Sequence, residues 1–340
     1  MTVAPTDPML PRNDGRPIVC QPLAAITVAA SDALATRRFY QGALGLTPTC
    51  VRLAGRAASD LRRHWGLSAT ESLETWVFTR PEIPEALVLR VVLIPAASYS
   101  SRPDLDSRYD GALGFGFPVR DLYRRHAIVE SMGFTATAGV TTMPFPRADG
   151  TTYDIGETHW VAPDDVMVLG VDRAHLQPVG PIDPALDIGG PSYSSALVSD
   201  VARAGEFFDG VLGLELRREF TFESEGPQGG MRLPRGTRVH FQQWFAPGSR
   251  TGYLVVMQLK ENALRAPYGL GLQNRGIGLW SFPTADLAAV YERALRYGKS
   301  VPGTKAVLRE PASIEAPGFG RVQSMVLATP DGFPVEVFQC

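Results

Sequence analysis

The chain reads as an α+β protein built from four similar modules in two tandem halves, each module being a strand, an Asp-capped helix and further strands. Three observations predict this. Ser31-Asp32, Phe39-Tyr40 and Leu44-Gly45-Leu46 recur without a gap 168 positions later as Ser199-Asp200, Phe207-Phe208 and Leu212-Gly213-Leu214. Asp121 corresponds to Asp286 at an offset of 165, and Pro163-Asp164-Asp165 to Pro330-Asp331-Gly332 at 167. An apolar run ending at an Asp that can cap the next helix therefore appears four times, over 23–45, 112–134, 193–214 and 277–298.

Taken in order, residues 1–19 are polar and Pro-rich and read as a disordered leader, and 20–176 as an N-terminal domain of two modules. Its first strand is Leu23 to Ala30 and its first helix Asp32 to Ala43. Residues 52–70 form a basic, helix-compatible insert in which His64 reads as a surface residue. The continuous apolar run Leu87 to Ile94 suits a buried strand, and a hairpin follows around Pro163. Pro178, Pro181, Pro184 and Pro191, with Gly180, Gly189 and Gly190, mark 177–191 as a linker. Residues 192–340 then repeat the plan as a C-terminal two-module domain, ending in a hairpin about Pro330-Asp331-Gly332 that carries Glu336.

Composition narrows the function. A chain of 340 residues, 44% apolar and 20% charged, can bury a large core. The net charge of −2, with 30 Arg and 3 Lys spread along the chain, gives no basic run for nucleic acid. No 18-residue apolar stretch predicts a membrane span. Cys20, Cys50 and Cys340 have neither metal-ligand nor redox spacing, so a reducing cytoplasm is the expected compartment. Gly-x-Ser-x-Gly, His-Glu-x-x-His and Cys-x-x-Cys are absent. A small-molecule substrate is the expected partner, and a homodimer is left open.

The recurrent Ser-Asp, aromatic pair and Leu-Gly-Leu, followed by Pro-Asp-Gly and Glu336-Val337, resemble the vicinal oxygen chelate superfamily, which includes glyoxalases, bleomycin-resistance proteins and extradiol dioxygenases. The resemblance covers about 20–175 and 190–340. It implies four βαβββ modules forming two tandem barrel-like domains with open clefts. It also implies a divalent metal held by residues of the first and last strands of two modules. Residue by residue, Glu336 matches the carboxylate position. Tyr193 stands at the third module's histidine position, residues 276–279 offer no histidine, and Ala25 and Leu169 occupy corresponding places in the first half. No tightly bound metal and no other cofactor is therefore expected, a weak ion at Glu336 being the one exception.

The expected chemistry is proton transfer beside a carbonyl, giving a lyase, isomerase or hydratase. In this reading Glu336 is the base, with its pKa raised by burial, and His240 on the strand Val239 to Trp244 is the acid–base partner. Tyr193 is the oxyanion donor, and His159, on the hairpin strand of the second module, is a further catalytic candidate. Trp244, Trp280 and Phe282 would line an apolar substrate pocket. The half that keeps Glu336 and His240 is expected to be the active one. Two alternatives stand beside this: a ring-cleaving dioxygenase with unusual ligands, and a protein that binds a hydrophobic small molecule without turnover.

Overall fold

The computed structural model describes residues 15–68, 72–94, 99–147, 150–173, 176–301 and 305–340. The first module comprises β1 (Ala25–Ala30), α1 (Ala33–Arg37) continued by a wider turn over Arg38–Ala43, β2 (Thr47–Ala54), α2 (Gly55–Trp65), β3 (Ser72–Thr79) and β4 (Val88–Leu93). The second has β5 (Gly111–Pro118), α3 (Leu122–Ser131), β6 (Thr135–Ala136), β7 (Thr141–Pro146), β8 (Thr152–Ala162) and β9 (Val166–Asp172). A small ribbon, β10 (Ile182–Asp183) with β11 (Ile188–Gly189), bridges the halves. The third has β12 (Tyr193–Leu197), α4 (Val201–Gly210), β13 (Glu215–Glu223), β14 (Arg238–Phe245) and β15 (Tyr253–Leu259). The fourth has β16 (Gly276–Pro283), α5 (Leu287–Ser300), β17 (Val307–Ala316), β18 (Gly320–Ala328) and β19 (Pro334–Gln339).

The repeated residues perform the same local work each time. Asp32 and Asp200 accept hydrogen bonds from two backbone N–H groups of the helix that follows, and Asp121 and Asp286 from one each. Such a cap is worth about 1 kcal/mol. Gly45 and Gly213, both at φ 71°, supply the left-handed residue that the Leu-Gly-Leu exits require. One long-range bond recurs as well. The Ser31 hydroxyl donates to the Asp164 carboxylate at 2.6 Å, and the Ser199 hydroxyl donates to Asp331.

The sheets do not follow the halves of the sequence. One sheet runs β17-β18-β19-β16-β1-β4-β3-β2, and the other β13-β14-β15-β12-β5-β9-β8-β6, with β7 on β8. Module one thus shares a sheet with module four, and module two with module three. The expected grouping into 20–176 and 192–340 describes the chain but not the sheets. Local pattern fixes each module, while the seams are the antiparallel pairs β1–β16 and β5–β12, which join residues from different halves. The end of the expected leader also packs onto the body: Thr284 Oγ1 donates to Val19 O at 2.7 Å, and Arg16 donates to the Asp209 carboxylate. Residues 1–14 lie outside the described residues.

Strand alternation divides the apolar side chains into three groups. The backs of the two sheets and the faces of the helices share the largest core, which includes Ile26, Phe39, Phe115, Trp160, Phe207, Trp280 and Val337. The other face of each sheet curls into a cup. In the cup of modules one and four, Val92, Leu279, Val326 and Phe338 meet Leu61 and Trp65 of α2. In the cup of modules two and three, Leu169, Tyr193, Phe241, Tyr253 and Val255 pack together.

Candidate functional site

Parallel register fixes which side chains share the floor of each cup. Thr27 on β1 lies opposite Arg90 on β4, and Ser281 on β16 lies opposite Glu336 on β19. The equivalent pairs of the other sheet are Gly116 opposite Leu169 and Ser195 opposite Val255. Thr27, Gly116, Ser195 and Ser281 each stand five residues before the Asp that caps the next helix. These eight residues are two positions, one on the first strand and one on the last, repeated through four modules. The equivalent residue of the third module is therefore Ser195, two places beyond Tyr193, the residue expected at the histidine position.

In the first cup the four positions touch. Arg90 Nε donates to Thr27 Oγ1 at 2.9 Å, and Nη2 donates to Glu336 Oε2 at 2.9 Å and to Ser281 Oγ. Ser281 in turn donates to Glu336 Oε2 at 2.7 Å. The helix insert α2 completes the cluster from above: Trp65 Nε1 donates to Glu336 Oε1 at 2.9 Å, with its ring 4.9 Å from the guanidinium carbon. His64 Nε2 is hydrogen-bonded to Ser324 Oγ at 2.8 Å and lies 4.0 Å from Glu336 Oε1. Arg90 and Glu336 are both 0% exposed. Arg90 Nη1 finds no hydrogen-bond partner among the described residues.

The electrostatics follow from this packing. Burial pushes the Glu336 carboxyl up, but Arg90, His64 and the Trp65 and Ser281 hydrogen bonds together outweigh it and hold the group below its ordinary value. This corrects the expected raised pKa: the carboxylate is ion-paired, not isolated. Burial pushes the His64 imidazole down, with Arg309 and Arg90 in the same direction and Glu336 opposing, so the ring is neutral near pH 7. His64 is thus a buried member of the cluster and not a surface residue. Its signal was available, because Ala58, Leu61, Arg62 and Trp65 recur at helical spacing on the buried face of α2.

The remaining candidates lie elsewhere. His240 alternates with Val239 and Phe241, which face the second cup, so its ring turns away and pairs with Glu219 at 2.7 Å. Tyr193 faces the second cup, stacked on Tyr253 at 4.9 Å, and its ring fills the space where a side chain at Gly116 would stand. Burial first, then Glu157 and Tyr253, push its phenol well up, so it stays protonated. His159 also faces that cup, 3.2 Å from Glu157 Oε2. Trp280 and Phe282 flank the inward Ser281 and therefore point to the shared core, as does Trp244. The structure places none of these six beside Glu336.

The family expectation of a metal can be tested on the donors. The first cup offers the hydroxyls of Thr27, Ser281 and Ser324, the neutral His64 imidazole, and one carboxylate already bound to a guanidinium. In the second, the equivalent floor positions offer one hydroxyl, Ser195, among Gly116, Leu169 and Val255, with one imidazole and one carboxylate, His159 and Glu157, paired to each other on β8. Among the described residues no three His, Cys, Asp or Glu side chains gather as a metal site would need. The residues do not fit a divalent cation.

An open cleft of about 1110 Å³ adjoins the first cup. Ala24, Val88 and Phe319 line it on the sheet side, and Arg120 and Arg173 on the other. Phe319, in the turn between β17 and β18, stands between cleft and cluster, with its ring 5.8 Å from the Arg90 guanidinium carbon.

Residues 191–337 match the family described as the Glyoxalase/Bleomycin resistance protein/Dioxygenase superfamily. Among solved structures, glyoxalase I from Zea mays is 16% identical over 94% of this chain and 92% of its own, with a TM-score of 0.58. A point mutant of the same maize enzyme aligns at 15% identity over 94% of both chains, with a TM-score of 0.61. A candidate dioxygenase from Bacillus subtilis is 12% identical over 95% of this chain and 86% of its own, with a TM-score of 0.54. No curated protein sequence matches. At these identities the likeness is one of fold. No helix among the described residues is long and apolar enough to cross a membrane.

Proposed function

We propose that this chain, whose residues 191–337 match the Glyoxalase/Bleomycin resistance protein/Dioxygenase superfamily, is an enzyme that moves a proton beside the carbonyl of a small, largely apolar oxygenated compound, in the lyase or isomerase class, without a tightly bound metal. The observation that carries this is the buried cluster of the first cup, where a guanidinium bound to the Glu336 carboxylate and a neutral imidazole bound to the Ser324 hydroxyl lie on either side of that carboxylate. In this reading the substrate enters by the open cleft and displaces the Phe319 ring. Arg90 Nη1 donates to the carbonyl oxygen and stabilises the charge that develops on it, an effect worth about 10²–10³ in rate for one such donor. His64 Nε2 takes and returns the proton, worth about 10²–10⁴. Glu336 fixes Arg90 and, through Trp65, the end of α2. It is a positioning residue, and the apolar walls keep the site dry and its electrostatics strong.

The test works without an identified substrate. A panel of small ketones, aldehydes and acids is incubated with the protein in D2O, and loss of the proton signal beside the carbonyl is followed by NMR. Wild type is expected to catalyse exchange in at least one compound, and His64→Asn to abolish it. A second reading, retention of a hydrophobic small molecule without turnover, is favoured by the open cleft beside the first cup, with Ala24, Val88, Leu176 and Phe319 among its apolar lining. Ligand-induced stabilisation with no exchange in any compound would support that reading instead.

A further inference from the structure

We propose that the Arg90 guanidinium is the resident cation of the first cup, a covalently attached replacement for the divalent ion that the superfamily resemblance implies, so that the cup cannot take up such an ion. The inference stands on register and contacts and holds whether or not the cleft is catalytic.

Thr27 and Ser281 occupy one position on the first strands of modules one and four, and Arg90 and Glu336 the paired position on their last strands. Four side chains so placed converge on one point at the cup floor, where a metal ion would collect its ligands. Here three of them converge on the fourth. Arg90 directs Nε to the Thr27 hydroxyl and Nη2 to both Ser281 and Glu336. A planar guanidinium with donors in a fixed fork can satisfy three acceptors in this way, whereas the same acceptors give an ion two neutral hydroxyls and one carboxylate. Its charge meets the Glu336 charge, so the buried floor carries no net charge that would attract a second cation. The π faces of Trp65 and Phe319, 4.9 and 5.8 Å from the guanidinium carbon, are further favourable neighbours for a cation.

The other cup shows that this arrangement is not a default of the fold. Its equivalent positions are Gly116, Leu169, Ser195 and Val255, and the Tyr193 ring fills the space beside Gly116. One cup has replaced the ion with a fixed cation, and the other has closed over with apolar side chains.

The test is metal uptake by the intact protein, purified without chelator, read by elemental mass spectrometry and by the melting temperature with EDTA or with added Mn²⁺, Ni²⁺ or Zn²⁺. Wild type is expected to hold no stoichiometric metal and to melt at the same temperature in every condition. Arg90→His places an imidazole beside Glu336 and His64, and this variant is expected to gain a Ni²⁺- or Zn²⁺-dependent rise in melting temperature that Glu336→Gln in the same background removes. A stoichiometric ion in wild type whose stabilising effect is lost in Glu336→Gln would overturn the proposal. So would a folded Arg90→His protein with no response to metal. If that variant does not fold, the wild-type measurements decide the matter alone.

Discussion

Arg90 Nη2 and Glu336 Oε2 meet at 2.9 Å across the seam of a sheet, joining residues 246 positions apart with neither exposed to solvent. A buried ion pair of this kind is costly to break and nearly neutral to replace, because the expense lies in leaving one charge unpaired. Glu336→Gln alone is expected to destabilise the protein by about 3–5 kcal/mol. The double variant Arg90→Met/Glu336→Met is expected to lose much less than the sum of the two single changes. Urea unfolding of wild type, the single methionine variants and the double variant measures this directly, and additive losses would mean that the two charges act independently.

Acid should unfold the protein in two stages. The His64 imidazole is held below its ordinary value of 6.5, so its contribution is fully present above pH 6.5 and is lost as the pH falls toward its folded value. The Glu336 carboxyl is held below its ordinary 4.5, so its contribution is present above that pH and is lost as the pH falls through its folded value. Melting temperatures recorded from pH 8 to pH 3 should therefore decline first below about 6.5 and again below about 4.5. His64→Asn should remove the first decline and leave the second.

The second cup is closed by packing, which makes one substitution diagnostic. A methyl group at Gly116 would overlap the Tyr193 ring, so Gly116→Ala should cost about 1–3 kcal/mol by overpacking. Adding Tyr193→Ala should relieve the overlap while opening a cavity. If Gly116→Ala melts like wild type, the Tyr193 ring does not fill that space.

Leu61 and Trp65 of the insert helix α2 pack into the first cup beside the cluster. Leu61→Ala is expected to cost about 2–5 kcal/mol. By loosening the roof over Arg90 it should raise amide hydrogen exchange in α2 more than in the sheet. Uniform exchange throughout would argue that the helix does not act as a separable cover.

Much of this molecule could be read from its sequence, and the limits are physical. The Asp caps, the Leu-Gly-Leu exits and the Pro-Asp turns are local devices, and each occurs where the repeats place it. The pairing of modules is not local: β1 lies beside β16 because two distant apolar edges meet, and no spacing encodes that. The same limit hid the site. Glu336 was legible as an inward candidate, but its ion partner Arg90 lies in what reads as a buried apolar strand, where an arginine gives no sign of what it faces. His240 was misplaced by one position of strand phase, since Val239 and Phe241 are the inward pair. Trp280 and Phe282 were misplaced for the same reason, on either side of Ser281.

The central claim is that the chemistry belongs to the cup of modules one and four. The most direct measurement is the rate of proton exchange into D2O, for whichever carbonyl compound wild type accepts, in His64→Asn, Tyr193→Phe and His240→Ala. The account predicts that exchange disappears in His64→Asn and persists in the other two. Exchange that survives His64→Asn and is lost in Tyr193→Phe or His240→Ala would place the chemistry outside that cup and contradict it.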